Sequence, residues 1–436
     1  MAIFLDAKAS DFEARFVALL GAKREAAADV DAVVAEIIAD VRVRGDAALA
    51  DYSRRFDRVD IAAQGLAISP SEVDAAVAAC EPKAIAALRF ANERVLAYHR
   101  KQAPQDASFS DALGVKLGWR WRAIEAVGLY VPGGAASYPS SVLMNAAPAK
   151  VAGCQRIAMV VPTPGGEVNP LVLAAARVAE IDEIYRVGGA QAVAALAYGT
   201  ETIKPVAKIV GPGNAYVAAA KRRVFGVVGI DMIAGPSEVV VLAGANADPR
   251  YIAADLLAQA EHDEAAQSIL ITDDMRLARN VGEEVVKQLA LLPREKIAGA
   301  SWRDYGAIIL VSDLSAAIPL IDRLAPEHLE IIADDADALS ARIHNAGAIF
   351  LGPYTPEAIG DYVGGSNHVL PTSRSARFSS GLGVNDFVKR TSLLKCDARA
   401  LQALGPAAVT LGEAESLTAH ARSVAIRLAD LEGKLP

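Results

Sequence analysis

From residue 126 onward the chain alternates short apolar runs with helix-length amphipathic runs, and glycine-rich turns mark the joints. Residues 126–131, 157–161, 183–187 and 207–210 read as strands, and 171–178, 190–197 and 215–224 as helices. The alternation restarts with strand 238–242, helix 250–261, strand 268–272 and helix 275–289, and continues with strands 307–311, 329–332 and 348–351. Strand and helix in turn predict βαβ units around parallel sheets. Two α/β units are expected, with breaks near Pro132-Gly133-Gly134 and Gly235-Pro236-Ser237. Before them, residues 11–103 carry apolar side chains at helical spacing, as in Val30-Val33-Val34-Ile37-Ile38-Val41, with a helix start at Ser71-Glu72. Residues 108–131 look like short strands. After Gly381 a loop rich in Gly and Ser leads to an expected helix over 415–428.

A chain of 436 residues is too long for one small core. Its net charge of −8 makes nucleic acid and anionic membrane poor partners. Cys80, Cys154 and Cys396 are odd in number and far apart, with no CxxC. This argues against a disulfide framework and a thiolate zinc site, and fits a reducing compartment. The first residues lack a basic stretch followed by an apolar one, and no apolar run approaches the ~20 residues of a membrane helix. The expected location is the cytoplasm.

Four of the six histidines sit beside acids, amides or glycine turns: His262, His328, His368 and His420. His99 and His344 read as ordinary helix residues. Gln259 and His262 are spaced i, i+3 on a strongly helical stretch, which puts them on one face. Without thiolates, zinc takes imidazole nitrogen and carboxylate oxygen. A histidine pair completed by Asp361 and an amide oxygen would make a four-ligand N/O site, which manganese or cobalt could also occupy. The spacing is not HExxH.

Three glycine turns follow strands: Gly128 to Gly134, Gly188-Gly189-Ala190-Gln191 and Gly211-Pro212-Gly213-Asn214. Glycine there lets backbone N–H groups approach a phosphate, as in a dinucleotide cleft. None is GxGxxG; Tyr216 stands where the third glycine would. No Walker A pattern points to ATP. Glu327-His328 follows Pro326 at an expected helix start or turn and offers an acid–base pair. Alcohol oxidation needs a base for the hydroxyl proton, and a carboxylate can deprotonate the water that adds to an aldehyde.

Together these motifs, with Ala234-Gly235-Pro236-Ser237-Glu238, Asn367-His368-Val369-Leu370-Pro371 and the run from Ala376 to Leu382, resemble the histidinol dehydrogenase family from about residue 10 to the end. The resemblance implies oxidation of L-histidinol through L-histidinal to L-histidine with two NAD, the last step of histidine biosynthesis. It implies one zinc per subunit on Gln259, His262, Asp361 and His420, with Glu327 activating water and His328 as base. Ser237, Gln259, His262, His328, Asp361, His368, Glu415 and His420 would contact substrate, and Tyr130, Gln191 and Asn214 would line the NAD cleft. The implied fold is a pair of incomplete Rossmann-like units, similar to aldehyde dehydrogenases, in a homodimer. It implies an N-terminal arm over 1–25 and a first unit of 26–129 with 238–380 carrying metal and catalytic residues. A second unit of 130–237 would hold the NAD cleft, and a tail over 381–436 would cross to the partner. The competing readings are a paralogue acting on another small amino alcohol or diol, and a zinc hydrolase using no nicotinamide.

Overall fold

Strands buried along their whole length belong in the middle of a parallel sheet covered on both faces. Glu238–Ala243 and Gln267–Thr272 are such strands, with every residue buried. The computed structural model describes residues 2–22, 28–133, 138–233 and 235–433; Gly134 and Ala234 of the motifs above lie outside them. In chain order the strands are β1 Ile3–Asp6, β2 Ala107–Ser110, β3 Lys116–Ala123, β4 Ala126–Tyr130, β5 Arg156–Val160, β6 Glu183–Tyr185 and β7 Lys208–Val210. They continue with β8 Gly229–Ile230, β9 Glu238–Ala243, β10 Gln267–Thr272, β11 Ala307–Leu310, β12 His328–Ile332, β13 Ala348–Leu351 and β14 Val388–Lys395. Residues 1–102 with 124–387 form one unit, and 103–123 with 388–436 another.

The first unit holds two parallel sheets, β6-β5-β4-β7-β8 and β1-β11-β10-β9-β12-β13. Counted along the chain, β4 to β8 lie in the order 3-2-1-4-5, and β9 to β13 repeat that order with β1 added at the edge. This is the dinucleotide-binding winding without its sixth strand. Both sheets are thus incomplete Rossmann-like units, as expected. In this winding a ligand crevice opens at the carboxyl ends of the first and fourth strands. In the five-stranded sheet that place lies between β4 and β7. In the six-stranded sheet it lies between β9 and β12. There Asn246 Nδ2 donates to Asp334 Oδ2 at 3.3 Å, Gly244 N–H donates to the Ile332 carbonyl, and a Cβ on Gly244 would stand 3.4 Å from Leu314.

The division of the chain between the sheets differs from expectation. Helix Ala28–Arg44, expected in the metal-bearing unit, instead packs with the five-stranded sheet, where its buried Val34, Ile37 and Val41 join Val193, Leu196 and Val217 in the core. A helix goes where its apolar stripe finds a matching face. A boundary at residue 129 would cut β4, the central strand of that sheet. β1, from the expected N-terminal arm, pairs in parallel with β11. The helix start lies at Ser69 rather than Ser71, because Ser69 and Glu72 close a capping box around Pro70.

In the second unit β14, β3 and β2 make an antiparallel sheet. Two helices follow, Ala398–Ala414 and Thr418–Leu431, packed where Gly405 admits Leu428 and Gly412 admits Ala421. The single helix expected over 415–428 is therefore the second of a pair, and it begins three residues later. No helix among the described residues is long and apolar enough to cross a membrane.

Candidate functional site

Glu327 and His328 sit at the amino end of the six-stranded sheet. The expected helix or turn is not what forms: His328 opens β12, because residues 328–332 are claimed on one side by β9 and on the other, through 331, by β13. Both side chains are buried. The Glu238 N–H donates to Glu327 Oε2 at 3.0 Å, and the Glu238 carbonyl lies 3.1 Å from His328 Nδ1. A carbonyl only accepts, so Nδ1 carries the hydrogen and Nε2 is the bare nitrogen. Nε2 is buried without a hydrogen-bond partner among the described residues and lies 3.8 Å from Asp361 Oδ1. Burial pushes the His328 pKa down to about 4; the Asp361 charge opposes the shift, while His262 and His368 add to it. The ring is neutral at neutral pH, with a lone pair facing a carboxylate.

Helix Pro249–Ala260 delivers Gln259 and stops before His262. A shared helical face is therefore not what joins them; His262 turns back beyond the cap, its N–H donating to the Gln259 carbonyl at 3.2 Å. Gln259 is fully buried, and neither of its amide atoms finds a partner among the described residues. Burial lowers the His262 pKa, and the Asp361 charge works against that. Asp361 comes from helix Glu357–Tyr362. His368 lies with Nδ1 2.9 Å from the Asp361 carbonyl and Nε2 3.3 Å from Ser141 Oγ. Ser237 immediately precedes β9 and accepts from the Gln267 N–H at 3.0 Å through its carbonyl. The structure thus gathers His262, His328, Asp361 and His368 within electrostatic reach of one another.

It also adds acids that the sequence reading did not single out. Glu357 is buried with Oε1 3.6 Å from His328 Nδ1. His328, Glu357 and Asp361 offer ligand atoms within 4.8 Å of one another, a second possible cation cradle that shares Asp361. Burial first, then the Asp361 charge, raises the Glu357 pKa. Glu330 is lifted to about 9 by burial, helped by the charge of Asp255. One signal could have pointed to Glu330: a charge inside the run His328-Leu329-Glu330-Ile331-Ile332, whose neighbours are those of a buried strand.

The cofactor candidates cluster at the carboxyl end of the five-stranded sheet. Tyr130 ends β4 and its hydroxyl accepts from the Gly189 N–H at 3.0 Å. Gln191 is buried in helix Gly189–Tyr198, its amide against Gly189. Asn214 caps helix Ala215–Val224, accepting from the N–H groups of Tyr216 at 3.1 Å and Val217 at 3.2 Å. Helix Pro139–Ala152, next along the chain after β4, touches the segment carrying His368 through Ser141, and its Met144 carbonyl accepts from Asn367 Nδ2 at 2.7 Å. The glycine turns and the imidazole–carboxylate cluster therefore share one locality. Glu415 and His420 belong to the second unit, where both are exposed: Glu415 caps the first helix and His420 lies in the first turn of the second.

The histidinol dehydrogenase profile matches residues 21–428. The chain belongs to the histidinol dehydrogenase family. It is 64% identical over 428 residues to histidinol dehydrogenase of Mesorhizobium japonicum, covering 98% of this chain and 100% of that protein. To the enzyme of Bradyrhizobium diazoefficiens it is 65% identical over 428 residues, covering 98% and 99%. The crystal structure of histidinol dehydrogenase from Elizabethkingia anophelis matches with a TM-score of 0.94 at 35% identity, covering 99% of each chain. Membership makes the chain an NAD-dependent oxidoreductase and leaves the hydrolase reading no footing.

Proposed function

We propose that this chain oxidises L-histidinol through L-histidinal to L-histidine with two NAD, as a cytoplasmic homodimer. The observation that carries the reading is the buried, neutral His328 with its bare Nε2 beside Asp361, on a locality shared with the glycine turns of a dinucleotide-type crevice. His328 Nε2 takes the hydroxyl proton of the carbinol, and NAD held in the crevice would supply the hydride acceptor. Glu327, held by the Glu238 N–H, takes a proton from the water that adds to the aldehyde. Ser237, His368 and Glu415 hold the substrate, and Tyr130, Gln191 and Asn214 shape the NAD cleft.

The residues fit a zinc ion. Gln259 presents a fully buried amide without a partner among the described residues, and His262 and Asp361 add imidazole and carboxylate, an N/O donor set that zinc accepts. His420 of the partner subunit would complete the set. Bound there, zinc would supply a Lewis-acidic centre for the substrate's nitrogen atoms. Support for a shared site comes from the second unit, where Leu404, Leu411, Leu417, Ile426 and Leu431 remain exposed. Leu404 and Leu411, spaced i, i+7, share one face of their helix, and exposed apolar side chains grouped in that way favour an interaction surface. The test follows NADH absorbance with L-histidinol on metal-loaded and chelated protein. Two NADH per histidinol, lost on chelation and restored by zinc, is expected; no NADH from histidinol under any metal condition overturns the reading.

A further inference from the structure

Lys221 and Asp231 form an ion pair whose side chains are only 2% and 1% exposed. Lys221 lies within helix Ala215–Val224, and Asp231 directly follows β8. Lys221 Nζ donates to the Gly211 carbonyl at 3.0 Å, and the Gly211 N–H donates to Asp231 Oδ2 at 2.7 Å. Both polar groups of one glycine are therefore gripped by the two ends of one ion pair. Gly211 has φ +114°, a value for glycine alone, and a Cβ there would strike the Tyr130 carbonyl oxygen.

Holding helix to strand does not require charge. A well-packed apolar pair of similar volume is often as stable as a buried ion pair or more so. An apolar pair, however, could not satisfy the N–H and the C=O of Gly211 together. Gly211 opens the turn Gly211-Pro212-Gly213-Asn214 at the carboxyl end of β7, on the rim of the crevice between β4 and β7. We propose that Lys221 and Asp231 are positioning residues that hold this turn in its dinucleotide-binding shape and so set the affinity for NAD without touching it. The proposal rests on reading that crevice as the NAD site.

The test uses K221M/D231N, which leaves no unpaired buried charge and keeps an acceptor for the Gly211 N–H. A turn that spends a tenth of its time in the competent shape weakens apparent affinity about tenfold. The expected result is an NAD Kd and KM raised about tenfold, with kcat at saturating NAD and the KM for histidinol unchanged. K221R, which restores a cation, should recover most of the affinity. A general loss of packing would instead lower kcat and melting temperature together. Wild-type NAD affinity in the folded double variant overturns the proposal. Should that variant not fold, hydrogen exchange on the wild-type protein decides: the peptide over 208–217 must be protected before NAD is added, and exchange there as fast as in an unstructured peptide overturns the proposal. If the wild-type protein binds no NAD, the crevice reading falls and the clamp with it; if it binds NAD and the folded variant binds equally well, the clamp alone falls.

Discussion

Replacing Gln259 with Met separates what this residue costs the fold from what it gives the site. Its side chain is fully buried with both amide atoms unpartnered among the described residues. Each unsatisfied buried polar group costs roughly 1–3 kcal/mol, so a thioether of similar length relieves about 2–6 kcal/mol in metal-free protein. With an unfolding entropy of about 2.1 cal/mol/K per residue, a chain of 436 residues gains about 1 °C per kcal/mol, or roughly 2–6 °C. The assay is scanning calorimetry of chelated wild type and Q259M, followed by zinc titration. The chelated variant should melt higher, and the order should reverse with zinc, because a ligand bound only by the folded state stabilises it by mass action. If chelated Q259M melts below wild type, the buried amide is not stranded. If zinc raises both proteins equally, Gln259 is not a ligand.

Three further outcomes are expected. Glu327→Gln should slow histidinal oxidation about 10²–10⁴-fold while sparing histidinol oxidation, and His328→Asn should slow both; normal histidinal oxidation by the Glu327 variant, measured by stopped-flow NADH absorbance, refutes the division of roles. Glu330, lifted to about 9 by burial, stays protonated in the folded chain while the unfolded chain ionises near the ordinary glutamate value of 4.5. The folded state thus holds the extra proton between these values, and stability falls as pH rises through that window. Glu330→Gln removes the effect, so its advantage in melting temperature over chelated wild type should widen from pH 6 to pH 9; a constant gap contradicts the assignment. Mixing inactive His262→Asn with inactive His420→Asn under subunit exchange should restore activity if the tail completes the partner's site, since one site in each heterodimer is then intact; a mixture that stays dead shows that each tail serves its own chain.

Much of the fold was legible because continuous apolar strands and amphipathic helices differ in length and period. Helices 215–224 and 275–289 fall where the pattern puts them. β1 escaped notice because its four residues carry little signal and its partner, β11, lies some three hundred residues away. The same distance problem hid the pairing of β14 with β3, strands that lie more than 260 residues apart. At the site, histidines beside acids were conspicuous by type. Glu357 and Asp255 were not: each sits on a helix with the look of an ordinary surface acid, and only the meeting of that helix with β12 makes it part of the cluster. His328 shows the opposite case, where the residue was evident but its place at a strand's head depended on neighbours that local sequence does not name.

The six-stranded sheet repeats the winding of its neighbour, but the residues proposed for the cofactor, Tyr130, Gln191 and Asn214, all lie on the five-stranded sheet. The proposed function therefore gives each chain one berth for a dinucleotide. A four-electron oxidation calls for two of them, so they must come in turn. On that reading the first would leave reduced before the second arrived, while the half-oxidised substrate waited, held from the other sheet. The aldehyde, the most reactive species on the route, need never meet bulk water. Turnover would then depend on how quickly a spent cofactor is exchanged beside a guest that must not be released.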